Sequence, residues 1–87
     1  MYKGETATGF KFEVPDEALD NMELVDAIAE LEENPLMVSK VTKLLLGTDQ
    51  RKKLYDHVRA EDGRVPSDDL SREIAEIFDA IGDPAKN

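Results

Sequence analysis

The chain has 87 residues, 20 acidic and 11 basic side chains for a net charge of −9, 40% hydrophobic residues and no cysteine. This length predicts one domain, residues 1–87, with a modest core and little stability to spare. Disulfides and thiolate metal sites are excluded, the acidic balance disfavours direct binding to a nucleic-acid backbone, and no apolar run serves as a membrane span or secretion signal, so a soluble intracellular protein is expected.

Thr8 to Val14, "TGFKFEV", alternates: Phe10, Phe12 and Val14 point one way, Lys11 and Glu13 the other. That is strand periodicity, ended by Pro15. No equally good second strand follows. The segment must pair with the leader around Tyr2, lie on the helices as an arm, or pair with another chain.

A first helix is expected from Asp16 or Asp20 to about Glu33, with Leu24, Ala27, Ile28 and Leu31 on one face and Glu23, Asp26, Glu30 and Glu33 opposite. Asn34-Pro35 is a cap and first-turn pair for a second helix, Pro35 to Leu46. Met37, Val38, Val41, Leu44 and Leu45 make its broad stripe. Leu36 and Leu46 fall outside it, so this helix is read as the central one. Gly47 is expected to end it as a left-handed cap.

Thr48 or Asp49 should cap a third, basic helix, which runs to about Ala60 with a thin face of Leu54, Tyr55 and Val58. Gly63 stops it. Ser67 should cap a fourth helix carrying Leu70, Ile74, Ile77, Phe78 and Ile81, ended by Gly82 and Pro84. The predicted fold class is all-α: a compact bundle of about four short helices (residues 16–82), an extended N-terminal arm or short strand (1–15) and a loose tail (83–87).

Charge is unevenly placed. Residues 1–33 carry ten acids and two bases, residues 34–60 two acids and six bases, and residues 61–87 eight acids and three bases. A basic middle between acidic ends favours folding back on itself or head-to-tail contact between copies, against the plainer reading of solvated faces.

"VRAEDGRVPSDDLSREI", Val58 to Ile74, has the outline of a calcium-binding loop. With Gly63 at the sixth position and Val65 at the eighth, Val58 and Ala60 stand at the first and third, where oxygen ligands belong, and Asp69 replaces the bidentate Glu at the twelfth. The ligand count rejects calcium. What remains is turn chemistry: Gly63 at positive φ, Val65 as a hydrophobic anchor, Pro66 and Ser67 opening the next helix.

Catalysis finds no support. The single His57 sits beside Asp56 on a helix, where neighbours point apart. No serine occupies a strand-to-helix elbow, no glycine motif cradles phosphate, and the acids are read as dispersed on exposed faces. A helix-turn-helix reading fails because the recognition helix would carry Asp68, Asp69, Glu73, Glu76 and Asp79. No catalytic, cofactor-binding or metal-binding residue is assigned, and a binding or assembly protein is left by elimination.

Four features, in order, resemble one family: the "GFKFEV" arm, "DEALD" followed by "ELVDAIAELEENP", "KLLLG" before a charged helix, and "EDGRVP" before the last helix. From about Gly9 to Ile81 the chain resembles the small tail assembly chaperones of long-tailed, siphovirus-type phages and prophages of Gram-positive bacteria. The resemblance implies a protein that binds the tape-measure protein, keeps it soluble and helps the major tail (tube) protein polymerise around it. It implies no enzyme activity, no cofactor, residence in the host bacterial cytoplasm during assembly and absence from the mature virion.

An acidic chain suits a soluble cover for a partner. Phe10, Phe12, Val14, Leu36 and Leu46 are the candidate partner-binding residues. Several of these exceed what thin helices need, and a strand edge offers a route to a partner or to a homo-oligomer. Neither direct nucleic-acid nor membrane binding is expected. The alternative function is a small acidic inhibitor or DNA mimic that binds a host nucleic-acid-binding protein. A mimic needs carboxylates in unbroken rows, which the basic third helix interrupts.

Overall fold

In the computed structural model, which describes residues 1–82, the alternating segment takes the first of its three options. β1 (Tyr2–Glu5) pairs antiparallel with β2 (Lys11–Val14), matching Tyr2 to Val14, Lys3 to Glu13, Gly4 to Phe12 and Glu5 to Lys11. The connecting turn is closed by the Thr6 N–H on the Phe10 carbonyl and the Gly9 N–H on the Thr6 carbonyl, both at 2.9 Å. The all-α expectation is thereby overturned: the chain is mixed, 65% helical, with four helices and a small two-stranded sheet. The loose tail expected at 83–87 lies outside the described residues.

The missed strand has a physical explanation. Gly4 stands where alternation would place an apolar residue, because the Phe12 ring lies across it. A Cβ built on Gly4 would meet Cζ of Phe12 at 2.7 Å, closer than carbon atoms pack. The same contact that specifies the cross-strand pair erases the periodicity by which β1 would be recognised.

The expected first helix is two. α1 (Asp16–Leu19) is a single turn, and α2 (Met22–Leu31) begins after Asn21, whose Oδ1 accepts the Glu23 N–H at 3.0 Å. Asn21 is the true cap, a role the sequence reading gave to neither it nor its neighbours. Asn34 caps as expected, accepting the Leu36 N–H at 3.2 Å, but what it opens is a 3₁₀ turn over Pro35–Met37.

The second and third expected helices follow end to end in α3 (Val38–Val58), two helical segments that meet at a kink at Gly47, where the break was expected. Gly47 has φ 79° and ψ 171°. Its φ is positive as expected, but ψ lies far from the left-handed helical value, in a region essentially confined to glycine. Gln50, not Thr48 or Asp49, bridges the break: its Nε2 donates to the Leu46 carbonyl at 3.0 Å. α4 (Ser67–Ile81) is preceded by Pro66, so Ser67 is its first residue, not its cap. Asp68 and Asp69 meet the helix dipole in the first turn.

α3 touches α2, α4 and β2, and its first half, before Gly47, is the stretch expected to be central. Val41, Leu45 and Leu54 from α3 pack with Leu24 of α2, Ile74 and Ile77 of α4, and Phe12 and Val14 of the hairpin. Among the described residues no buried side-chain N or O lacks a hydrogen-bond partner. No described helix is long and apolar enough to cross a membrane.

Candidate partner-binding groove

The five residues selected from sequence part company in the structure. Phe10, Phe12, Val14 and Leu46 are all buried in the core. Their surplus over four thin helices is real, but it is absorbed by the hairpin that the helices needed as a lid. Leu36 is 84% exposed, the most exposed large hydrophobic residue of the described chain. It lies in the 3₁₀ turn after the Asn34 cap, where Pro35 fixes the backbone and the side chain has no core to enter.

Leu36 stands at the edge of an apolar trough. One basin, of about 330 Å³, is lined by Leu36, Val38, Tyr55, Val65 and Leu70, with Asp68 at its rim. A second, of about 220 Å³, has Ile28, Leu31, Val38, Ile74 and Phe78 around it, with Glu32 at its rim. Val38 and Ser71 line both basins, so the two adjoin: the first lies between the 3₁₀ turn, α3 and α4, the second between α2, the start of α3 and α4. Ser71 and Ala75, both exposed, lie one turn apart on α4 and keep that wall low.

Sequence reasoning counted Ile28, Ile74 and Phe78 as core and did not nominate Ser71, Ala75 or Tyr55. The available signal was the pair of small residues beside the apolar stripe of the fourth helix. Tyr55 is half-buried, with the Arg51 guanidinium carbon 5.8 Å from its ring centroid.

A separate polar cluster fastens the hairpin turn to the helices. Glu73, read from sequence as a surface acid, is only 2% exposed. Its Oε1 accepts the Thr6 hydroxyl at 2.7 Å, and its Oε1 and Oε2 lie 3.0 and 2.9 Å from the Thr8 hydroxyl. Thr8 Oγ1 is also 3.0 Å from Nε2 of His57. With the hydroxyl proton committed to Glu73, the imidazole is the donor there. The His57 ring sits 5.5 Å from the Phe10 ring, centroid to centroid, and the Ala7 N–H donates to Glu76 Oε1 at 2.8 Å. Every member thus ties the turn to α3 or α4, which is the work of a fastening.

A further hollow, about 540 Å³, lies between the hairpin and α3, with Lys3, Glu5, Lys11, Glu13, Gln50 and Lys53 around it and Gly4 and Phe12 also in its wall. Charges of both signs alternate there. The Gln50 amide also closes the β2 edge, accepting the Glu13 N–H at 2.8 Å and donating to the Glu13 carbonyl at 2.6 Å. That bond guards the edge that an incoming strand would use.

The turn with the calcium-loop outline is held by its own side chains. The Arg64 N–H and Nε–H donate to the two carboxylate oxygens of Asp62 at 3.0 and 2.7 Å. The Arg64 guanidinium, and then its backbone N–H, hold the Asp62 carboxyl below its ordinary value of 3.8. Among the described residues no cluster of three or more His, Asp or Glu is placed to hold a metal ion. Comparison with family models, with curated proteins and with solved structures gives no match for this chain.

Proposed function

We propose that this chain is an assembly chaperone of the tail type its sequence resembles. In this reading it binds the tape-measure protein through the trough beside Leu36, keeps it soluble, and releases it as the tail-tube protein polymerises around it. It works as a binding protein, without catalysis or cofactor, in the bacterial cytoplasm and outside the finished virion.

The observation that supports this most is the exposure of Leu36 at the edge of two adjoining apolar basins. A leucine held in water by a proline-fixed turn costs folding nothing and gives it nothing, whereas it supplies apolar area to a partner. The net charge of −9 opposes aggregation of a chain with such a patch.

Co-expression with the tape-measure protein tests the reading. The expected result is a larger soluble fraction of that protein and its co-purification with this chain, both lost in Leu36→Asp. Unchanged solubility, with capture instead of a host nuclease or repressor, would replace the reading with that of an acidic inhibitor.

A further inference from the structure

We infer that the trough takes an amphipathic α-helix whose apolar face is flanked by lysine or arginine. The inference rests on the reading of the trough as the partner-binding surface and adds the form and charge of what binds there.

Form follows from the walls. α2 and α4 wall one basin, the 3₁₀ turn, α3 and α4 wall the other, and such helical walls have no free backbone edge to offer. An extended segment laid between them would bury its own N–H and C=O groups without partners, whereas a helix satisfies them internally. The low α4 wall at Ser71 and Ala75 admits a second helix axis at about 8–10 Å, the usual packing distance.

Charge follows from the rim. Among the described residues, Glu32 and Asp68 are the only charged ones lining either basin, one in each. Both are exposed, and neither has an ion-pair partner among the described residues. Glu32 also sits badly for its own helix. With Glu30 and Glu33 it crowds the C-terminal end of α2, where the dipole is negative and no basic residue occupies the last turn. A cation from a partner relieves that repulsion. An anionic helix would add to it.

Fluorescence anisotropy with labelled synthetic peptides of about 18 residues, long enough for five turns, decides the matter. One peptide has a leucine face flanked by lysines. The second carries glutamate in place of each lysine. The third has the lysine peptide's composition in scrambled order, which removes amphipathicity and controls for attraction to an acidic protein. The first peptide should bind at least about tenfold more tightly than either control, given an apolar helix face in a preformed groove. Ala75→Gln and Leu36→Asp, both at exposed positions, should each weaken it. Glu32→Gln combined with Asp68→Asn should weaken the lysine peptide about two- to fivefold and flatten its salt dependence, as exposed ion pairs do.

Equal binding of the scrambled and amphipathic lysine peptides overturns the inference. So does preference for the glutamate peptide, or sedimentation showing that a second copy already fills the trough through Leu36. These outcomes are separate from the co-expression result. Peptide binding without tape-measure rescue leaves the inference standing and removes the tail-assembly reading. Tape-measure rescue that Leu36→Asp abolishes, with no binding of the lysine peptide, does the reverse.

Discussion

The hydroxyl of Thr6 donates to the buried carboxylate of Glu73 at 2.7 Å, across 67 positions of sequence. One bond therefore ties the first turn of the chain to its last helix. Among the described residues Glu73 has no ion-pair partner, so its burial rests on the hydroxyls of Thr6 and Thr8. Thr6→Val keeps the shape and removes a donor. It should lower unfolding free energy by about 1–3 kcal/mol, measured by urea denaturation. Thr8→Val should cost less, since Thr8 is exposed and Thr6 is buried. Equal stability of Thr6→Val and the parent would show that the cluster does not hold the hairpin.

Gly4→Ala places a methyl 2.7 Å from the Phe12 ring. Phe12 is buried, so the strands must separate or the ring must leave its rotamer. A loss of about 1–3 kcal/mol is expected, typical of overpacking. Thermal unfolding followed by circular dichroism measures it, and an unchanged melting temperature would mean that the ring moves freely.

Gly47→Ala probes backbone, not packing, because nothing lies within 4 Å of the position where its Cβ would be. The strain of φ 79°, ψ 171° on an alanine should cost about 1–3 kcal/mol. Alternatively the variant straightens α3 into a continuous helix. Backbone amide shifts of Leu46 to Gln50 distinguish the two, and loss of the Gln50 contacts to Glu13 would accompany straightening.

Asp62 gives a pH dependence whose sign is fixed. Its folded pKa lies below the ordinary value, because Arg64 favours the ionised form. Its contribution to stability is therefore present above the ordinary carboxylate pKa and is lost as pH falls through the folded value. Asp62→Asn should melt slightly below the parent at neutral pH and match it in acid. The group is fully exposed, so the effect is small. A carbon-detected titration of Asp62 midway at or above 3.8 would contradict the turn geometry.

Charged substitutions separate surface from core. Leu36→Asp should fold as the parent does while losing the partner, since its side chain is in water already. Phe12→Asp and Leu46→Asp should unfold the chain, because each puts an unpaired carboxylate among apolar neighbours. The parent's dichroism spectrum in all three variants would refute the assignment of Phe12 and Leu46 to the core.

The sequence by itself determined what is periodic and local. Asn34 before Pro35 announced a cap, the 3.6-residue stripe of the fourth helix marked Leu70, Ile74, Ile77 and Phe78 for burial, and the two-residue alternation marked β2. The ligand count in the Asp62 turn decided against calcium without coordinates. What lay beyond it depends on partners far away along the chain. β1 carries no pattern because its register position is filled by Phe12 from the other strand, and the helix signal in Glu73 was read as a surface charge because Thr6 and Thr8 lie more than 60 positions away. For the same reason only the tertiary structure could sort the five candidate residues. Whether an apolar side chain is core or contact surface depends on what folds over it: hairpin and helices close on one another over Phe10, Phe12, Val14 and Leu46, while among the described residues Leu36 stays exposed.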